Sequence, residues 1–203
     1  MLHSSTSDLS TPAPSTSTSS RVIRGRVWKY GDDIDTDVIF PGRHTYTAQG
    51  REAIAAHALE DLDPRFAAEV QPGDLVVGGR NWGCGSSREQ AVTTLLYNGV
   101  SVVLARSFGR IFYRNAVNQG LWALEAPDAI GSLTHGDLAE VDLDRGIVTV
   151  LESTDGRQGS TGSFQAPPAD LRAIVEAGGL VPYVAANLPP ESPEDERATG
   201  ETL

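Results

Sequence analysis

The chain has 203 residues at 21.5 kDa, with 16 basic against 27 acidic side chains and a net charge of −11. That is the size of one domain with ragged ends, and the acidic balance argues against a nucleic-acid partner or an anionic membrane surface. No stretch approaches the ~20 apolar residues of a membrane span, and a single Cys excludes a disulfide framework and a self-contained zinc or iron–sulfur site, each of which needs several ligands.

Residues 1–20 hold eight Ser, four Thr and two Pro with one charge, Asp8. Such a segment buries too little apolar surface to offset its backbone entropy, so a disordered tail is expected. It lacks the basic start and apolar stretch of a secretory signal, and the chain as a whole is expected to be soluble and cytoplasmic. Between residues 21 and 187 lies the folded domain. Val22 to Trp28 reads as a strand leading into an acidic turn, Gly31 to Asp37. Gln49 to Leu62 has helical spacing, with Ile54, Ala55, Ala58, Leu59 and Leu62 on one side. Pro72-Gly73-Asp74 is a turn before the apolar strand Leu75-Val76-Val77.

Next comes Gly78-Gly79-Arg80-Asn81-Trp82-Gly83-Cys84-Gly85, too Gly-rich for regular structure. Ser86-Ser87-Arg88-Glu89 is expected to open a helix that runs to about Tyr97, where Asn98-Gly99 stops it. Val100 to Leu104 is a second buried strand, Ile111 to Asn118 a helix closed by Gly120, and Leu121 to Leu124 a further strand. A hairpin around Asp144-Arg145-Gly146, a loop from Ser153 to Gly162 and a helix from Pro168 to Ala177 complete the domain. Residues 188–203 carry five acids and one Arg among three Pro, and a disordered acidic tail is expected there.

Strand, Gly-rich loop, helix, strand, helix, strand calls for parallel pairing through crossovers, hence an α/β domain with a mostly parallel central sheet and antiparallel additions. In such sheets ligands bind beyond the carboxyl ends of the strands, where the loop from Gly78 to Arg88 sits. That loop fits none of three common motifs. A P-loop needs Gly-Lys-Ser/Thr, and the only Lys is Lys29. A dinucleotide loop needs glycine where Arg88 stands, and a hydrolase elbow needs glycines where Ser86 has Cys84 and Arg88. What remains is a Ser-Ser-Arg suited to an anion, with Arg88 as a planar fork for a carboxylate. Ser-Ser-Arg-Glu is also what an ordinary helix cap looks like, but a cap does not need four glycines in eight residues.

Asn81-Trp82-Gly83-Cys84-Gly85-Ser86-Ser87-Arg88-Glu89-Gln90-Ala91 resembles the signature of the small subunits of 3-isopropylmalate dehydratase and homoaconitase, an element also found in the swivelling last domain of aconitase. Gly31 to Arg43 resembles the family's entry motif, and Ser107 to Ala116 with Asn118-Gln119-Gly120-Leu121 resembles its third block. The likeness spans about Val22 to Leu188.

The resemblance implies the swivelling β/β/α fold of the aconitase superfamily, and a hydro-lyase that moves a hydroxyl between neighbouring carbons of a 2-hydroxy di- or tricarboxylic acid. It implies a large-subunit partner holding a 4Fe-4S cluster, with no cofactor and no metal bound by this chain alone. The small carboxylic acid substrate would meet Ser86 as catalytic base, with Ser87 and Arg88 on its carboxylates and Asp37 orienting the neighbouring groups. Arg43 and Thr45 fall on the family's specificity segment and are expected to touch the variable part of the substrate. Many isopropylmalate enzymes have Tyr-Leu directly after this Arg, whereas His44-Thr45 stands here. Isopropylmalate in leucine biosynthesis is the expected substrate; homoaconitate, citramalate, a methylated malate or an acid of specialised metabolism are the alternatives.

Three residue readings stay open. Cys84 is expected to be a packing residue beside the site. Arg110 and Arg114, four apart, share one helix face and read as a solvated or subunit-facing stripe. His57 and His135 have no ligand spacing to another His or Cys and receive no role. A catalytically silent, anion-binding regulatory module with the same fold is the competing reading.

Overall fold

The computed structural model describes residues 21–188, so the expectations for 1–20 and for all but Leu188 of 188–203 lie outside the described residues. A seven-stranded sheet runs in the order β4-β3-β2-β1-β5-β6-β7. One half is parallel: β1 (Val22–Lys29), β2 (Leu75–Val77), β3 (Val102–Ala105) and β4 (Trp122–Glu125) pair in sequence order. The other half is antiparallel, with β5 (Leu138–Asp142), β6 (Ile147–Glu152) and β7 (Thr161–Ser163) leaving the far edge of β1. Parallel neighbours need crossovers, and α1 (Thr36–Ile39), α2 (Arg51–Ala55), α3 (Phe66–Glu69), α4 (Gln90–Tyr97) and α5 (Arg110–Gln119) supply them.

Alternation along the short strands splits the core in two. Val76, Val103, Ala105 and Ala123 face the helices, packing with Trp82, Val92, Leu95 and Phe112. Leu75, Val77, Val102, Leu104 and Leu124 face the other way and share a cluster with Ala139, Val141, Val148 and Val150. The antiparallel half therefore curls over the parallel half, giving layers of strand, strand and helix. Asp74 ties β1 to the turn before β2: its buried carboxylate accepts Arg26 N at 3.0 Å, Gln71 N at 2.9 Å and Trp28 Nε1 at 2.9 Å.

Several elements depart from the sequence reading, each for a tertiary reason. The helix expected over Gln49–Leu62 stops at Ala55. Beyond it the chain continues as i→i+3 turns, His57 N to Ile54 O at 3.3 Å and Ala58 N to Ala55 O at 3.2 Å, and the same two carbonyls also accept Thr94 Oγ1 and Asn98 Nδ2, both at 2.8 Å. Leu59 then turns left-handed (φ 55) and gives its N–H to Ile39 O at 2.9 Å. The helix expected from Ser86 starts instead at Gln90, with Glu89 as its uncapped first flank, so Ser86 and Ser87 are loop residues and not caps. Glu89 is occupied by Gln119 Nε2 instead of reaching back over the helix end. The expected loop from Ser153 to Gly162 runs into β7. Beyond α6 (Ala169–Glu176), the Gly178-Gly179 stop is followed at once by α7 (Leu180–Asn187), where Pro182 sits in the first turn and no backbone donor is missed.

Candidate functional site

The carboxyl ends of β1, β2 and β3 carry three loops, residues 30–35, 78–89 and 106–109, and backbone hydrogen bonds lace them together. Gly83 N donates to Ile34 O at 2.7 Å, Thr36 N to Cys84 O at 2.8 Å, Trp82 N to Ser107 O at 3.0 Å and Gly109 N to Trp82 O at 2.8 Å. Trp82 is fully buried beneath this knot. Gly83 has φ +72, and a Cβ there would lie 2.2 Å from the Phe112 ring, so only glycine lets loop 78–89 lie down on α5. The three blocks singled out in the sequence are thus one structure.

Ser86 is half-buried at the edge of the knot. Its hydroxyl lies 2.9 Å from Thr36 Oγ1, and its backbone N–H donates to the same oxygen at 3.0 Å. Thr36 is itself only 1% exposed, so its hydroxyl is aimed and sheltered. Sequence reasoning missed Thr36, although it stands between the acids of Asp35-Thr36-Asp37. Asp35 caps the short α1 by accepting Val38 N at 2.8 Å, and this places Thr36 and Asp37 on the first turn.

Asp37 lies against Arg88 as an ion pair and accepts Gly42 N at 3.2 Å. Gly42 closes this group from the other side: a Cβ there would be 2.8 Å from Asp37 Oδ1 and 3.0 Å from Arg88 Nη2. Ser87 is exposed, and its carbonyl accepts from Asn115 Nδ2 of α5 at 3.3 Å. Asn115 is a second residue whose role the sequence did not single out, though it falls inside the third block. Cys84 is half-buried, and burial pushes its thiol up, the form of a packing residue and not of a thiolate ligand.

Arg43 and Thr45 sit beyond Gly42 on a short 3-10 turn, Gly42–His44, and its end. Arg43 is turned away from Ser86 and Arg88 in its pairing: it forks onto Asp61 at 2.7 and 2.8 Å and reaches Glu60 as well. The Arg43 hydrogen bonds hold Asp61 below its usual range. Burial alone would raise Glu60, but hydrogen bonds from His57 and His44 outweigh it and hold that carboxyl low. Thr45 Oγ1 is buried without a hydrogen-bond partner, and Tyr46 next to it is 90% exposed. The structure therefore gathers Ser86 with Thr36, and Arg88 with Asp37, while Arg43 is spent on its own acidic pair.

A cleft of about 680 Å³ lies on the other flank of α5, lined by Tyr113, Arg114, Glu125 and Leu171 among others, and it includes none of residues 86–88. Arg110 and Arg114 both line it, so their shared face looks onto this groove. The loop that carries residues 86–88 leaves Ser87 exposed and Ser86 and Arg88 half-buried. It holds one half-buried hydroxyl, Ser86, against Thr36 and one guanidinium, Arg88, against Asp37; groups of these types can accept a proton and bind a carboxylate.

The family described as the aconitase C-terminal domain matches residues 42–129. The 3-isopropylmalate dehydratase small subunit of Aquifex aeolicus is 46% identical over 167 residues, covering 82% of this chain and 96% of that protein. The 2,3-dimethylmalate dehydratase small subunit of Eubacterium barkeri is also 46% identical, over 163 residues, covering 80% and 96%. The crystal structure of a 3-isopropylmalate dehydratase from Methanocaldococcus jannaschii superposes with a TM-score of 0.74 at 41% identity, covering 81% of this chain and 94% of that one.

Proposed function

The chain belongs to the 3-isopropylmalate dehydratase small-subunit family, and from that premise we propose that it is the small subunit of a hydro-lyase interconverting 2- and 3-isopropylmalate in leucine biosynthesis. The observation that carries the reading is the Ser86 hydroxyl, half-buried and 2.9 Å from the buried hydroxyl of Thr36. Dehydration needs a base for a C–H beside a carboxylate, and a serine oxygen serves only once its own proton has left. Thr36 Oγ1 accepts the Ser86 amide and keeps its own proton free to steady the charge on Ser86 Oγ. Ser86 Oγ would take the proton from one substrate carbon as the hydroxyl leaves the neighbouring carbon, a departure for which the large subunit's cluster would supply the Lewis acid. On rehydration Ser86 would return a proton to the carbon that lost the hydroxyl.

Arg88 would fork onto a substrate carboxylate, with Asp37 and Gly42 fixing its plane and Ser87 adding a hydroxyl from the exposed edge. Arg43 and Thr45 would border the variable part of the substrate by way of the short turn that follows Gly42. One cysteine of raised pKa does not fit a four-iron cluster. In this reading the cluster belongs to a separate large subunit, which would also cover the exposed edge at Ser87, and this chain is inactive alone. Among the described residues no helix is long and apolar enough to cross a membrane.

A second substrate within the same chemistry, 2,3-dimethylmalate, is favoured by one observation: the relative named for it matches this chain at the same identity as the Aquifex protein. The test is to combine the full chain with a cluster-loaded large subunit and follow hydration of dimethylcitraconate, alongside a panel of 2-hydroxy acids. Turnover that disappears on Ser86→Ala supports the reading, and the panel ranks the two substrates. Tight anion binding with no turnover on any acid would instead mark a silent regulatory module.

A further inference from the structure

His44, His57 and Glu60 converge although the sequence spaces them as unrelated residues. His44 ends the 3-10 turn, His57 follows α2, and Glu60 follows the left-handed Leu59. Their ligand atoms lie within 4.8 Å of one another, and all three side chains are half-buried. The two imidazoles stack with centroids 3.5 Å apart and planes at 6°. Glu60 spans the stack, one oxygen 2.7 Å from His44 Nε2 and the other 2.6 Å from His57 Nδ1.

We propose that His44, His57 and Glu60 form a binding site for one divalent transition-metal ion of the zinc type. Two imidazole nitrogens and a carboxylate are a borderline donor set that suits zinc over calcium or magnesium, which prefer all-oxygen shells. Three protein ligands in a half-exposed position leave the fourth place for water. The single cysteine, which argued against a self-contained zinc site, is no obstacle here because none of these donors is sulfur. The ion would take the place of the two contacts that now join Glu60 to the rings. Parallel rings carry their lone pairs side by side, so an ion at ~2.0–2.1 Å from both nitrogens requires the stack to splay.

Arg43 opposes the ion, since it too reaches Glu60. It already holds Asp61 with two nitrogens, so it can leave Glu60 without losing its charge partner. Occupancy would then pin His44 to His57 and Glu60 and hand Arg43 to Asp61 alone. Because Arg43 and Thr45 flank His44, the ion would set the conformation of the segment bordering the substrate. That consequence rests on the proposed function; the binding does not.

The test uses the full chain, stripped with a chelator and titrated with zinc chloride by calorimetry near neutral pH, with cobalt(II) absorption as the geometry readout. One saturable ion per chain is expected, with the intense visible bands of four-coordinate cobalt. His57→Ala and Glu60→Gln should each weaken binding at least about tenfold. Glu60→Gln keeps the side-chain size, and circular dichroism of both variants separates lost ligand from lost fold. No saturable binding by the unaltered chain, or binding that both folded variants retain, overturns the site. Neither large subunit nor substrate is present, so either result leaves the hydro-lyase reading to its own test.

Discussion

Thr36 and Ser86, fifty residues apart in the chain, hold their hydroxyl oxygens 2.9 Å apart, and Thr36 Oγ1 accepts the Ser86 N–H as well. The double contact makes Thr36 the group that sets where Ser86 Oγ points. It also replaces the helix N-terminus as the support for that oxygen, because α4 begins four residues later, at Gln90.

Removing the hydroxyl while keeping the shape should therefore damage the chemical step more than binding. Thr36→Val is expected to lower kcat of the reconstituted enzyme by about 10²–10³, the loss typical of one preorganised donor, with little change in KM. Thr36→Ser should recover most of it. Steady-state kinetics of both variants check this, and equal loss in the two would count against a hydroxyl role.

The Asp37–Arg88 pair predicts the opposite signature. Gly42→Ala places a methyl 2.8 Å from Asp37 Oδ1 and 3.0 Å from Arg88 Nη2, so the pair must shift. KM is expected to rise by about tenfold, roughly one charge-assisted hydrogen bond, with kcat falling less. Asp37→Asn should act in the same direction. A purely structural role would lower the melting temperature and leave KM unchanged.

Away from the site, Asp74 is the polar group on which the parallel half depends. Asp74→Ala leaves three donors, Arg26 N, Gln71 N and Trp28 Nε1, without their partner. A destabilisation of about 3 kcal/mol follows, read as a fall in Tm of about 10 °C for a domain of this size. Asp74→Asn, which can still accept at one oxygen, should cost less.

Acid should weaken the fold through the carboxylates that are held low. Hydrogen bonds from Arg157 and Ser153 keep Asp155 at about 2, and the Arg21 N–H with Arg172 lowers Asp144. Both groups titrate near 3.9 once unfolded, so between these values the unfolded chain binds more protons. Their contribution is present above about pH 4 and lost as pH falls toward 2. Asp155→Asn should flatten that acid limb in chemical-denaturation curves recorded across the range; an unchanged limb would show that Asp155 contributes nothing.

The strands, the Gly-rich loop and the motif residues were legible because each is written locally. Short β-branched runs such as Val102-Val103-Leu104 admit little but a buried strand. The glycines around Trp82 announce close backbone approach. Chain-local patterns misled where tertiary partners intervened. After Ala55 the Gln49–Leu62 segment tightens to i→i+3 turns, Leu59 turns left-handed and its N–H goes to Ile39 O, so the helical spacing does not become one continuous helix. Ser86 looked like a cap because Ser before Glu usually is one, yet its amide is already satisfied by Thr36.

Composition and motif order by themselves determined that this is an acidic α/β chain with a Gly-rich loop after β2, since apolar periodicity and glycine placement act over a few residues. Only the tertiary structure decided which side chains meet. Thr36 reaches Ser86, Asp37 reaches Arg88, and His44 stacks on His57 through contacts that cross tens of residues. Those meetings depend on how far β1 and β2 bring their loops and on where Leu59 turns the chain, and no local spacing encodes either distance.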